Sequence, residues 1–226
     1  MNLADAQIAV LAENQYQELE LWYPVLRLRE AGANVLVVAP AADQVYASKL
    51  GYPVKADLGV DQVDASALDA VVIPGGFAPE GMRRHKPMVD LVRNVHDQDG
   101  LVAAICHAGW MLASAGIARN RKVTCVSIIK DDVINAGGKY VDEPVVRDRN
   151  IITSRLPSDL PVFCKEIVSY LKESPRIRNS AKVVQPAGGR APSSPAYTHV
   201  AEFTMGPRGV ASADYTGTVK TGDRVL

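Results

Sequence analysis

The chain has 226 residues, 47% of them hydrophobic, and 25 basic side chains balance 25 acidic ones. That composition supports a buried core rather than disorder, and the cancelled charge excludes an overall field that would recruit nucleic acid, an anionic membrane or an acidic substrate. The opening MNLADAQIAVLAE has neither a basic leader nor a long apolar run, and no stretch reaches the length of a membrane span; with three widely spaced cysteines and no CxxC-type pairing, the expectation is a cytoplasmic protein without a disulfide framework or a metal site.

In chain order, Gln7–Leu11 and Asn34–Pro40 are short apolar runs of the kind that form strands buried on both faces. Between them Leu19, Trp22, Val25 and Leu28 recur at three-residue steps, a helical face that ends by Gly32, with Pro24 tolerable near the helix start or at a kink. This is one βαβ unit. Residues 44–60 are turn-rich, and Gly51 with Pro53 suits a small hairpin at the sheet edge. The rhythm then resumes with Ala70–Gly76, a helix around Met88–Val95 and the strand Leu101–Ile105. Alternating strands and helices imply a doubly wound, mostly parallel α/β sheet with helices on both faces and ligands at the carboxyl ends of its strands.

Beyond Arg121, short strands are expected at Val123–Val126, Val145–Val146 and Ile151–Thr153, and Asp159–Leu171 reads as a final amphipathic helix. One domain over residues 1–172 therefore carries a C-terminal extension over 173–226. The first part of that extension is rich in Pro, Gly, Ser and Arg, as in a linker or surface arm, and Tyr197–Leu226 alternates weakly, as in a hairpin or an added strand.

The strongest chemical signal is the passage from Leu101–Ile105 through Cys106 and His107 into a helix beginning at Ala108-Gly109-Trp110. A strand running through a small-residue turn into a helix holds Cys106 at the carboxyl edge of the sheet, as a nucleophile elbow does, without the GxSxG spelling. The helix N-terminus beside the sulfur predicts a depressed thiol pKa. Cys106 could also be a small buried hydrophobe, as is expected for Cys125 and Cys164. His107 could serve as base or orient a substrate, or simply pack, because neighbours at a turn often diverge. His85, His96 and His199 receive no role.

Gly75 and Gly76 end another core strand, where their amides could approach a ligand as part of an oxyanion cradle or form only a tight turn. Glu13, Glu18 and Glu20 follow the first strand. Glu13 and Glu18 read as residues answering a helix dipole, whereas Glu20, set among Leu19, Leu21 and Trp22, is expected to be partly buried, with a raised pKa that suits proton donation. Glu80, after Ala78-Pro79, reads as a first-turn helix residue.

Four stretches then carry a family resemblance: Glu20–Pro24 (ELWYP), Val72–Glu80 (VIPGGFAPE), Ala104–His107 (AICH), and KDDVINAG with TSRLPSDLP further on. From about Ile8 to Leu171 the chain resembles the ThiJ/PfpI superfamily, most closely its PfpI branch. The resemblance implies a flavodoxin-like sandwich with Cys106 as nucleophile, Glu20 hydrogen-bonded to its sulfur, and Gly75, Gly76 and His107 around the substrate. It also implies that Glu80 reaches the histidine of a neighbouring subunit, so that a homo-oligomer, a dimer or hexamer, is required. Two features depart from the pattern: Ala108-Gly109-Trp110 stands where close relatives carry Gly-Pro, and the extension has no counterpart in compact members.

Three functions use these residues. In the first, the cysteine attacks methylglyoxal, glyoxal or their adducts on amines, with Glu20 or His107 moving protons and no metal or organic cofactor. The second is a cysteine peptidase or amidase acting through an acyl-enzyme. The third is a redox-responsive stress protein whose thiol is oxidised. A nucleotide or nucleic-acid module is disfavoured by the absence of GxGxxG and P-loop spacings.

Overall fold

The computed structural model describes residues 3–173 together with 203–205 and 211–213. Its elements are β1 (Gln7–Leu11), α1 (Glu18–Glu30), β2 (Asn34–Ala39), β3 (Val45–Ala47), β4 (Pro53–Lys55), β5 (Leu58–Gly59), β6 (Ala70–Ile73), α2 (Ala78–Met82), α3 (Lys86–Asp97) and β7 (Leu101–Ile105). There follow α4 (Gly109–Ala115), β8 (Lys122–Val123), α5 (Lys130–Asn135), β9 (Lys139–Tyr140), β10 (Val145–Asp148), β11 (Ile151–Ser154) and α6 (Leu160–Glu173).

One seven-stranded sheet in the order β10-β11-β7-β6-β1-β2-β5 forms the middle layer. All neighbours are parallel except the edge pair β10/β11. Every residue of β1, β6 and β7 is buried, because helices cover both faces, which is why these strands read as unbroken apolar runs. Each such Val, Leu or Ile contributes about 1.5–3 kcal/mol by leaving water. From β1 the chain goes to β2 on one side, and it later returns to β6 on the other. The loops leaving the carboxyl ends of β1 and β6 therefore diverge, opening the crevice in which doubly wound sheets bind ligands.

The helices close the core as their spacing requires. In α3, Met88, Leu91, Val92 and Val95 form the buried stripe, and the Arg93 Nε donates 2.8 Å to the Ala115 carbonyl at the end of α4. Pro24 lies inside α1 and is buried. Lacking an N–H, it cannot donate to the carbonyl of Glu20 four residues earlier.

Local departures from the sequence reading have simple causes. Residues 44–60 do contain an antiparallel pair, β3 with β4, but β5 leaves it to join the edge of the main sheet beside β2. The strand expected over Val123–Val126 is only Lys122–Val123, paired with β9 in a separate two-stranded sheet. An apolar run does not reveal which sheet it joins. The arm and linker read over the extension lie, from residue 174 onward, outside the described residues, apart from Phe203–Met205 (β12) and Ala211–Ala213 (β13), which pair antiparallel. No helix among the described residues is long and apolar enough to cross a membrane.

Candidate active site

Three adjacent strands deliver the site. Glu20 comes from the first turn of α1 after β1, Gly75 and Gly76 follow β6, and Cys106 follows β7. At Cys106 the backbone turns left-handed, φ +61°, between the extended Ile105 (φ −125°) and the short helical turn Cys106–Ala108 that leads into α4. A β-carbon in that region costs about 1–2 kcal/mol, and such strain persists where the surrounding structure holds it. Here it brings the thiol against the Glu20 carboxyl.

Gly75 lies against the side chains of both Cys106 and Glu20. A β-carbon there would stand 2.6 Å from the Cys106 Cβ, 2.6 Å from Glu20 Oε2 and 2.9 Å from the His107 amide nitrogen. Its absence lets the Gly75 N–H donate to Glu20 Oε2 at 2.8 Å. Gly76 adopts φ +72°, and a β-carbon there would meet the Gln15 carbonyl oxygen at 2.4 Å. The segment before α1 pins this turn: Gln17 N–H donates to the Gly75 carbonyl at 3.2 Å and Phe77 N–H to the Gln15 carbonyl at 2.9 Å. The Gln17 side chain caps α1 by accepting the Glu20 amide at 2.9 Å, which fixes where the Glu20 side chain begins.

Glu20 is fully buried, and desolvation raises its pKa from the ordinary 4.5 to about 7, the Gly75 N–H and the Cys106 thiol only partly opposing this. The carboxyl lies against the thiol, and its second oxygen, Oε1, has no other partner among the described residues. The thiol does not behave as the sequence reading expects. Burial pushes Cys106 up to about 12, and the neighbouring Glu20 carboxylate adds to the rise, although the amides of Gly76 and His107 point at the sulfur and pull the other way. The helix-dipole argument fails because α4 is a seven-residue helix that starts three residues past the sulfur, whereas desolvation and a carboxylate act at contact. Thiol and carboxyl are thus coupled, ionisation of Glu20 making that of Cys106 harder.

His107 is half-buried, and desolvation, with Lys49 nearby, lowers its pKa, keeping the ring neutral. The ring meets Phe77 and Trp110 edge-on, with centroids 5.9 and 5.1 Å away. Its Nδ1 is buried without a partner among the described residues. Trp110 is held by its indole N–H to Asp132 at 2.8 Å and forms one wall of the site. The sequence reading marked the Ala108-Gly109-Trp110 stretch as a departure but gave Phe77 no role of its own, because its contact with His107 joins the segments after β6 and β7 and has no local spacing.

Glu80 is not brought to His107 within the chain. It sits in the first turn of α2, 3.9 Å from Arg84, with its side chain 60% exposed, in a groove of about 380 Å³ shared with Glu13, Asn14, Phe77 and His85. Glu13, expected to answer a helix dipole, lies before α1 instead: it is buried and pairs with His85 at 3.2 Å. Glu18 is in the first turn of α1, but its carboxylate binds the Ser48 hydroxyl and the Leu50 amide, staking down the 48–50 loop. Cys125 and Cys164 are buried, as expected, with burial raising both thiols.

The DJ-1/PfpI family pattern matches residues 6–170. The chain belongs to that family. It is 41% identical over 166 residues to Deglycase PfpI of Pyrococcus furiosus, covering 74% of this chain and 99% of that one. It is 36% identical to the Putative cysteine protease YraA of Bacillus subtilis, with 74% and 98% covered. Among solved structures it is similar to Drosophila melanogaster DJ-1beta, with TM-score 0.71, 29% identity, and 76% of this chain and 93% of that chain covered. The flavodoxin-like fold and the family read from the four sequence stretches are thus present over the stretch where the resemblance was placed, and DJ-1/PfpI relatives carry names of both deglycase and protease activities.

Proposed function

We propose that this chain is a cofactor-independent cysteine enzyme converting 2-oxoaldehydes such as methylglyoxal and glyoxal, or their adducts on amines, to 2-hydroxyacids. The observation that carries the reading is the buried Glu20 carboxyl, held to about 7 and set against the Cys106 sulfur. A group poised near neutrality both accepts and donates protons at working pH.

The Cys106 thiol adds across the aldehyde: sulfur bonds to carbon, and the thiol proton passes by way of Glu20 to the carbonyl oxygen, giving a hemithioacetal. Removal of the proton from that carbon and return of a proton to the neighbouring carbon, again through Glu20, gives a thioester. Water then cleaves it to the hydroxyacid and the free thiol, so methylglyoxal plus water becomes lactic acid with no external oxidant. The amides of Gly76 and His107, already aimed at the sulfur, are placed to hold the developing oxygen charge.

A peptidase reading draws on the exposed Glu80 and on the relative named a putative cysteine protease. It needs Glu80 to reach His107 of a second copy in a homo-oligomer and to orient it as a base. Within one chain the neutral His107, edge-on between two aromatic rings and with no carboxylate orienting it among the described residues, favours aldehyde chemistry run by Glu20. A redox-sensing role is less favoured because the thiol is only 9% exposed and its pKa is raised. Three free thiols suit a reducing compartment such as the cytoplasm.

Methylglyoxal consumption by the purified protein and by Cys106→Ala tests the proposal. Cysteine-dependent turnover supports it, and equal, negligible rates from the two proteins sink it.

A further inference from the structure

We propose that Lys49 is a specificity-determining residue of the Cys106 site, selecting 2-oxoaldehydes that carry a negative charge, such as a carboxylate, over neutral ones. This deepens the aldehyde reading and rests on it for the substrate class, but not for the electrostatic effect.

The placement follows from the backbone around Tyr16. Tyr16 pairs antiparallel with Gly76 on one side and parallel with Ser48 on the other, and its carbonyl accepts the Lys49 N–H at 2.9 Å. The loop bearing Lys49 is thereby joined to the same short segment that pins the Gly75-Gly76 turn. Glu18 holds this loop from below through the Ser48 hydroxyl and the Leu50 amide, so the exposed lysine stands on an anchored rim. Its Nζ lies 5.1 Å from the centroid of the Phe77 ring, whose edge contact with His107 forms the site wall. Among the described residues no carboxylate lies within ion-pair distance of Nζ. Its charge nevertheless reaches inward, favouring ionisation of Glu20 and opposing protonation of His107. Glu18 feels the same charge, but its carboxylate is engaged by Ser48 and Leu50 and makes no ion pair with Lys49 among the described residues, so a cation held over an aromatic wall is left as a counter-charge for an anionic group on a molecule whose aldehyde lies at the sulfur.

Two measurements test this. The first needs no turnover: the rates at which Cys106 is alkylated by iodoacetate and by iodoacetamide, read by intact mass in the full-length protein, in Lys49→Gln and in Lys49→Arg. Both reagents form the same S–C bond and expel iodide; they differ in charge. An attraction across the rim predicts that the iodoacetate-to-iodoacetamide ratio falls about five- to tenfold in Lys49→Gln and is kept in Lys49→Arg. An unchanged ratio in Lys49→Gln overturns the proposal, whatever the aldehyde assays give.

The second compares kcat/KM for 4-carboxyphenylglyoxal and phenylglyoxal, which differ mainly in charge. The carboxylate-bearing substrate is expected to lose roughly fivefold relative to the neutral one in Lys49→Gln. Equal losses on both substrates would mean that Lys49 does not read charge. If no 2-oxoaldehyde is turned over by the unaltered chain, the proposed function falls, while the alkylation ratio still decides whether Lys49 is the counter-charge.

Discussion

The carboxyl of Glu20 and the sulfur of Cys106 occupy one buried space, kept open by the missing side chain of Gly75, where a β-carbon would stand 2.6 Å from both Glu20 Oε2 and the Cys106 Cβ. That contact makes the two groups a single acid–base unit. It accounts, together with burial, for a carboxyl held to about 7 and a thiol pushed up to about 12.

Glu20→Gln should therefore separate reactivity from catalysis. Removing the carboxylate removes its repulsion on the thiolate, so the Cys106 pKa falls and iodoacetamide alkylation at pH 8 quickens. Methylglyoxal turnover drops by about 10²-fold, because the proton carrier is gone. Slower alkylation in the variant would contradict the pairing.

Stability should carry the mark of Glu20 as well. Unfolded, the carboxyl ionises near 4.5; folded, it keeps its proton to about 7. Its neutral form is thus fully accommodated below 4.5, and stability is lost as pH rises between those values, by on the order of 3 kcal/mol. Urea unfolding of the unaltered chain and of Glu20→Gln at pH 4.5 and 7.5 reads this directly. The unaltered chain should lose ground to the variant at the higher pH, and a constant difference would contradict it.

Gly75→Ala should remove activity while leaving a folded chain. The new methyl group meets Cys106, Glu20 and the His107 amide, all fixed by the elbow and the helix cap, so something must shift. Overpacking of this kind costs about 1–3 kcal/mol, and displacing the reacting groups by about 1 Å costs roughly 10²-fold in rate. Activity above a third of that of the unaltered chain would show that the site yields more easily than the contacts indicate.

The elbow itself stores strain that a glycine relieves. Cys106→Gly and Cys106→Ala both lack the sulfur and should both be inactive, but alanine must still hold φ +61°. The glycine variant should be the more stable of the two by about 1 kcal/mol in thermal or urea unfolding. The reverse order would argue against strain at this position.

Much of this was legible in the sequence. The runs at Gln7–Leu11, Ala70–Ile73 and Leu101–Ile105 appear as strands because strands buried on both faces need unbroken apolar residues. Cys106 could be singled out because a strand, a small-residue turn and a helix follow one another locally, and Glu20 because a carboxylate in an apolar helical stripe is out of place. The expected depression of the thiol was wrong for a physical reason. A helix terminus can be seen in sequence, but the desolvation and the carboxylate that outweigh it come from chain segments far apart.

The sequence by itself determined the doubly wound α/β class and the family, and it singled out Cys106 and Glu20 as candidates, since each rests on local pattern or on motifs contiguous in the chain. Only the tertiary structure decided the buried contact that couples Glu20 to Cys106, the aromatic flanks of His107, the pairing of Glu13 with His85 and the station of Lys49 on the rim. Those depend on which strand ends the sheet order makes neighbours, and on how much water the packed helices leave between them, quantities that no local spacing encodes.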